Sequence, residues 1–381
     1  MGLTSDKVLA LAVLAAVGLF AGTVWLWPRL ARRSVQAVTG RVGLLLGTQV
    51  ALFTSAGLAA NQAFGFYAGW DDLLGREKGM GVVVDHTPAD GPLRVVETRR
   101  VPGSASSDPS VGGQIQKVEI VGRTTRIATP AYVYLPPEYF RPGFRTRAFP
   151  AAVVLTGYPG TAQALVDKLD YPQTAARLAG QGRMPPMVLV MMRPTVAPPR
   201  DTECVDIPGG PQTESFFAED LPDAVGGHYR VGSGPGGWGV IGDSTGGYCA
   251  LKLAMHHPAV FGAGAGLSAY YKAPVDATTG DLFHGDTALR DRADLRWCLE
   301  HLPAPDTSLL VSSSKVGESN YKDTLKFIER VKATKRTRIS SIILESGGHN
   351  FNTWRREIPA TLEWMGERLS APERAEEPLG S

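Results

Sequence analysis

The chain has 381 residues, 43% hydrophobic and 20% charged, with a formal net charge of +2. That length accommodates one large domain or two ordinary ones, and so small a charge gives no electrostatic reason to expect nucleic acid. Seven histidines and three cysteines form no cluster at ligand spacing, so neither a metal nor another cofactor is expected.

The N-terminus departs from this soluble average. Val8 to Trp27 carries no charge, LALAVLAAVGLFAGTVWLW being most of it, and Pro28 ends it. At a helical rise of about 1.5 Å per residue such a run crosses a hydrocarbon core of about 30 Å. It is too long for the apolar part of a signal peptide and has no basic leader beyond Lys7. A second uncharged run, Val42 to Trp70, holds VGLLLGTQVALFTSAGLAA, and Phe64, Phe66, Tyr67 and Trp70 follow as an interfacial belt. Trp25 and Trp27 serve the first run in the same way. Gln49 and the many small residues suit a helix packed against a partner helix. Two transmembrane helices, at 8–27 and 42–62, are therefore expected in a membrane anchor over 1–70. The loop PRLARRSVQAVTGR between them holds Arg29, Arg32, Arg33 and Arg41 and no acid. Lys7 is offset by Asp6, and Asp71 and Asp72 follow the second helix. By the positive-inside tendency the loop is cytoplasmic. The expectation is a multi-pass protein of the cell membrane with its main domain extracytoplasmic.

Residues 71–111 turn polar, with DDLLGREKG and VPGSASSDPSVGG, and read as a linker with one ordered piece around GVVVDH. Residues 371–381 read as a disordered tail. Between Gln114 and Leu369 strands alternate with helices. IQKVEIV, PAYVYLP, AAVVLTG, MVLVMM, WGVIG, FGAGAGLS, SLLVSSS and ISSIIL have strand patterns. TAQALVDKL, SFFAEDLPDAV, TGGYCALKLAMHH, NYKDTLKFIERVK and REIPATLEWMGERL have helical ones. The short turn GRTT makes the first two strands an antiparallel pair, and crossovers make the other six parallel. The expected domain, 112–370, is an α/β fold: an eight-stranded, mostly parallel sheet with flanking helices. Its ligand site belongs at the carboxyl ends of the strands.

One such end carries GDSTGGYCA, from Gly242 to Ala250. Gly-x-Ser-x-Gly between a strand and a helix holds a serine on a tight turn, so Ser244 is the candidate nucleophile. A serine that merely caps the helix is the bland alternative. Upstream, GSGPGG at Gly232 to Gly237 matches a dinucleotide loop but precedes a strand instead of opening a helix. It reads as a surface turn.

A serine hydroxyl needs a base, and the base needs a carboxylate, in the chain order Ser, acid, His. His301 falls within the helix of LRWCLEHL, whereas His349 lies in SGGHNF, directly after the last strand. His349 is the expected base. Glu318, in SKVGESN, is the first carboxylate after SLLVSSS and the expected acid, ahead of Asp323 and Glu345. Thr245 N–H and Tyr158 N–H, the latter in LTGYPGT, are the expected oxyanion donors. The pair His256 and His257 closes a helix before Pro258, where capping is the expected role.

Residues from about Gln114 to Leu369 resemble the esterase D and antigen 85 (mycolyltransferase) branch of the α/β-hydrolases. The segments that carry this are VYLPPEYF, LTGYPGT, FFAEDLP, GDSTGGYCALKLAMHHP and GGHNF with Trp354. The resemblance implies Ser244, Glu318 and His349 as a catalytic triad, and the N-terminal helices resemble membrane-anchored actinobacterial members. One departure matters: mycolyltransferases carry an aspartate before the oxyanion-loop glycine to hold the sugar acceptor, and here that position is Thr156. Hydrolysis of a small-molecule or lipid ester is therefore expected ahead of acyl transfer in the cell envelope. A non-catalytic binding module on the same fold is the remaining alternative.

Three cysteines in an oxidising compartment allow one bridge. Cys249 lies five residues past Ser244. Cys204 follows MVLVMM, a strand expected beside the nucleophile strand, while Cys298 sits in the helix LRWCLEHL. Cys204–Cys249 is the expected pair.

Overall fold

The computed structural model describes residues 5–31, 34–64, 91–104, 106–196, 198 and 200–371. Arg32, Arg33, Phe66, Tyr67, Trp70, the stretch 71–90 with GVVVDH, and the tail 372–381 lie outside the described residues. The chain divides into two compact units, residues 1–78 and 79–381.

The first unit holds two helices, Asp6–Leu26 and Val35–Phe64. A 3-10 turn, Arg29–Ala31, follows the first, and the Arg29 guanidinium sits over the Trp25 ring at 4.6 Å. The second helix starts earlier than expected and takes Arg41 into its first turns. Their apolar spans, Lys7–Leu26 and Val35–Gln62, reach mean hydropathies of 2.3 and 1.6 over 18 residues, of which only 11% are buried. Leu14, Phe20, Trp25, Leu46 and Phe53 all face outward. Both helices are long and apolar enough to cross a membrane. They meet through small and hydroxyl-bearing residues: Thr23 Oγ1 lies 3.3 Å from Thr48 Oγ1, and Gly47 leaves room for Leu19.

The second unit is built on a sheet of nine strands, not the expected eight. In chain order they are β1 (Leu93–Arg100), β2 (Gln114–Val121), β3 (Ala128–Leu135), β4 (Ala151–Leu155), β5 (Val188–Met192), β6 (Trp238–Asp243), β7 (Ala263–Leu267), β8 (Ser308–Val316) and β9 (Arg338–Ser346). Their spatial order is β1-β2-β3-β5-β4-β6-β7-β8-β9. The three N-terminal strands run antiparallel and β4 to β9 run parallel. The extra strand comes from LRVVETRR, within the stretch expected as linker. Only Leu93 of β1 is buried, so an edge strand of this kind reads as polar linker in the sequence. Its pairing with β2 includes an ion pair, Arg94 to Glu119 at 2.5 Å.

β4 is buried on both faces, as a run of AAVVL in the middle of a parallel sheet should be. Ala151, Val153 and Leu155 join one core, with Phe216, Tyr248 and Leu251. Ala152 and Val154 join the other, with Trp354, Ile358 and Leu362. The helix after β6, Thr245–His256, therefore covers one face, and the closing helix, Phe351–Gly366, covers the other. SFFAEDLPDAV is helical with a π-turn at Phe216–Asp220. From β4 the chain goes to β5 on one side, then crosses back to β6 on the other. The connection from β4 leads to one side of the sheet and that from β6 to the other, so the switch point lies at the carboxyl ends of this adjacent pair.

Candidate active site

Ser244 sits at that switch point. β6 ends at Asp243, and Ser244 adopts φ 54°, ψ −120° before the helix begins at Thr245. Few side chains tolerate this region, and a non-glycine residue held there marks a constrained site. The flanking glycines are required by close approach of backbone. A Cβ on Gly242 would lie 2.2 Å from Gly246 C, and one on Gly246 would lie 2.3 Å from Leu155 O. Ser244 N–H donates to Leu267 O at 2.9 Å, tying the turn to β7.

His349 reaches the serine from the loop after β9. Asn350 caps the closing helix, its side chain accepting from Asn352 N and Thr353 N, which fixes the residue before it. His349 Nε2 lies 2.8 Å from Ser244 Oγ. With Nε2 accepting from the hydroxyl, the ring proton is on Nδ1. Trp354 and the imidazole pack edge to face at 5.2 Å and 85°, and Trp354 Nε1 donates to Ser268 Oγ at 2.8 Å. The His349 side chain is 52% exposed, open to solvent.

Glu318 stands behind it. Gly317, at φ 101°, turns the chain off β8, and Glu318 places its side chain out of solvent. Oε2 accepts from Ser313 Oγ at 3.1 Å. Oε1 accepts no hydrogen bond among the described residues and lies 3.7 Å from His349 Nδ1. A buried acceptor left bare is costly, and the Nδ1–H is the donor that faces it. Catalytic hydrogen bonds without substrate are often this long. Asp323, half-buried, and Glu345, exposed, lie elsewhere, paired with Lys326 at 3.5 Å and with Lys315 at 2.6 Å.

The loop after β4 closes over the turn. Gly157 comes so near that a Cβ there would lie 2.9 Å from Ser244 Cβ. Tyr158 follows it, and Thr245 opens the helix, where the first N–H groups have no intrahelical partner. Thr156 is buried, its hydroxyl donating to Gly157 O at 3.2 Å. Asp243 was not among the expected site residues, yet it holds this loop. Its Oδ2 accepts from Gly157 N at 2.9 Å, and its Oδ1 has no partner among the described residues. Burial pushes its carboxyl up to about 7, against the Gly157 bond and nearby His349. The signal was a lone carboxylate at the end of the apolar run WGVIG.

Cys204 and Cys249 are joined by a disulfide, with Cα atoms 5.7 Å apart. The strand adjacency expected for them is wrong, because β4 lies between β5 and β6. The segment after β5 crosses that end of the sheet to reach the helix. Cys298 is a buried thiol donating to Arg292 O at 3.2 Å, and burial pushes it up to about 11. His257 is the C-cap of the nucleophile helix, its N–H donating to Leu253 O at 2.9 Å, and His256 lies in the last turn. Their side chains converge on one carboxylate: His256 Nδ1 and His257 Nε2 meet Glu214 Oε1, at 2.7 and 3.0 Å, beside Lys252 Nζ at 2.8 Å from Oε2. His301 is exposed and stacks on Trp297. Among the described residues no group of His, Cys, Asp or Glu is arranged to hold a metal.

A family model described as "Putative esterase" matches residues 124–365. The chain belongs to this esterase family. An uncharacterized protein of Corynebacterium glutamicum is 23% identical over 274 residues, which is 68% of this chain and 63% of that one. The chain thus spans less than two thirds of that relative's length. Among solved structures it is similar to an S-formylglutathione hydrolase from Agrobacterium tumefaciens, at 18% identity and TM-score 0.55, over 71% of this chain and 100% of that one. A ferulic acid esterase matches at 16% identity and TM-score 0.57, over 68% and 98% of the two chains. A fluorophosphonate-binding serine hydrolase of Staphylococcus aureus matches at 17% identity and TM-score 0.53, over 66% and 98%. At such identities the likeness is one of fold, and the fold is that of the α/β-hydrolases.

Proposed function

We propose that this esterase is membrane-anchored and extracytoplasmic, and that it hydrolyses carboxylic esters through an acyl-enzyme on Ser244. The observation that carries this is the 2.8 Å contact between Ser244 Oγ and His349 Nε2, backed by the buried Glu318. Ser244 Oγ attacks the ester carbonyl carbon as His349 Nε2 takes its proton. Glu318 stabilises the imidazolium through Nδ1–H. Negative charge developing on the carbonyl oxygen meets the N–H groups of Thr245 and Tyr158. His349 returns the proton to the leaving alcohol, and then activates a water that releases the acid. Thr156, turned to Gly157 O, offers no carboxylate for a sugar acceptor, which favours hydrolysis over acyl transfer.

The test is turnover of p-nitrophenyl esters of increasing chain length by the full chain in detergent. Ser244→Ala should lose at least about a thousandfold in kcat, and a fluorophosphonate should label the wild type but not the variant. Turnover retained by Ser244→Ala would overturn the assignment. The anchor is supported by the length and hydropathy of the two helices and by the arginines between them. A reporter fused after Leu369 that works only outside the membrane should be active, and activity of a cytoplasm-only reporter there overturns the topology.

A further inference from the structure

The segment Asp201–Cys204 is tied to the nucleophile helix at three points along one face. Thr245 Oγ1 meets Asp201 Oδ2 at 3.4 Å, Cys249 is bonded to Cys204, and Lys252 Nζ donates to Cys204 O at 2.5 Å. Positions 245, 249 and 252 recur at helical spacing, so one side of the helix carries all three. Asp201, Thr202, Glu203 and Cys204 are all buried, and Glu203 and Cys204 both have left-handed backbones, at φ 49° and 48°. Consecutive side-chain-bearing residues persist there only when their surroundings over-determine them.

Glu203 is the polar centre of this strap. Tyr270 OH lies 2.7 Å from its Oε1 and 2.6 Å from its Oε2, and 3.0 Å from Thr245 Oγ1. Glu203, Tyr270, Thr245 and Asp201 thus form a chain of side-chain oxygens joined by three contacts. Three contacts need three protons. With Glu203 protonated the count closes: Glu203 donates to Tyr270, Tyr270 to Thr245, and Thr245 to Asp201. With Glu203 ionised and Asp201 still the accepting carboxylate at the far end, only two protons remain, and one of the two links to Thr245 is lost.

We propose that Glu203, in its acid form, is a positioning residue that works through Tyr270 to hold Thr245 and, with it, the N–H that faces the oxyanion. This rests on the proposed roles of Ser244 and Thr245. The surroundings favour the acid form at neutral pH. Burial first, then Asp201, push the Glu203 carboxyl up to about 9, with Asp276 adding to them and the Tyr270 bond and Lys252 opposing. Tyr248, stacked on Tyr270 at 5.2 Å, also faces the carboxyl. Burial holds both phenols well above their ordinary value, so neither titrates before Glu203.

The test is the pH profile of kcat and KM for a p-nitrophenyl ester, corrected for hydroxide, from about pH 6 to about pH 10. It compares the wild-type full chain in detergent with Glu203→Gln, Glu203→Ala, Tyr270→Phe and Ser244→Ala. Wild-type kcat should fall with a midpoint near Glu203's own value, about 9, while KM holds. The amide of Glu203→Gln donates to Tyr270 at every pH. That variant should keep neutral-pH kcat within about threefold and show no alkaline fall. Glu203→Ala and Tyr270→Phe should lose about tenfold or more in kcat at neutral pH, also without the fall. Tyr270→Phe keeps the ring on Tyr248, so it reads the link even if a Glu203 variant fails to fold. An unchanged alkaline fall in Glu203→Gln, or wild-type kcat in Tyr270→Phe, overturns the inference. If Ser244→Ala is inactive in the same series, only the inference falls; if Ser244→Ala is active, the reading of the site falls with it.

Discussion

Replacing Gly157 with alanine tests the oxyanion loop directly. The new Cβ would stand 2.9 Å from Ser244 Cβ and 3.1 Å from Asp243 Oδ2. Carbon atoms in good contact sit about 3.5 Å apart or more, so the first distance is short by about 0.6 Å. Ser244 cannot retreat, because its N–H is bound to Leu267 O at 2.9 Å and its hydroxyl is engaged by His349. The loop must move instead. A shift of that size stretches the Gly157 N to Asp243 Oδ2 bond from 2.9 Å past hydrogen-bond range, leaving a buried carboxyl with neither oxygen paired. Overpacking costs about 1–3 kcal/mol and the orphaned carboxyl a similar amount, within what a domain stable by about 5–15 kcal/mol survives. The same shift carries Tyr158 N–H, the donor proposed above, away from the oxyanion. Loss of one such donor costs about a hundred- to a thousandfold in kcat. Steady-state kinetics with a p-nitrophenyl ester, alongside a melting curve, reads both effects. A folded Gly157→Ala protein with kcat within about threefold of wild type would refute the reasoning.

Glu318→Ala should lower kcat less than Ser244→Ala does, because the serine and histidine survive it with a poorly held ring. Wild-type activity in that variant would remove Glu318 from the site. Removing the Cys204–Cys249 bridge by replacing both residues with alanine opens a loop of sequence separation 45. Loop entropy puts the loss near 4 kcal/mol, or about 7 °C in Tm at the unfolding entropy of a domain this large. An unchanged Tm under non-reducing conditions would show that the bridge adds nothing. Burial, the largest cause for each, raises Asp243 to about 7, Glu357 to about 8 and Glu203 to about 9. Unfolded, all three return to about 4, so the folded state binds more protons between these limits and loses stability as pH rises through them. Burial lowers His256, which opposes this only below about pH 6.5. Calorimetry should therefore show Tm falling from about pH 6.5 to about pH 9, less steeply in Glu357→Gln. A Tm that rises over that range contradicts the assignment of buried acids.

The parts of the site legible in the sequence are those imposed by short-range geometry. Gly242 and Gly246 are fixed by backbone contacts within one turn, so the pentapeptide around Ser244 announces itself. His349 and Glu318 follow from chain order, since each comes just after a recognisable apolar strand. What escaped depends on distant segments meeting. Asp243 looks like a turn residue until the loop after β4 is laid across it. Glu203 and Tyr270 are far apart in the chain, and nothing local says that one buries its carboxyl against the other. β1 escaped for the opposite reason: an edge strand needs only one inward residue, and Leu93 alone makes no pattern.

That first strand decides where the protein can be cut. A soluble fragment begun near residue 112 looks natural if 71–111 is a linker. It would strip away β1 and bare the outer edge of β2, a row of open N–H and C=O groups beside Ile115, Val118 and Ile120. Such an edge is a template for pairing with another copy. In the intact chain the outermost strand carries Arg94, Glu97, Arg99 and Arg100, with charges that discourage further strands from adding. A fragment begun at Gly91 keeps that guard in place.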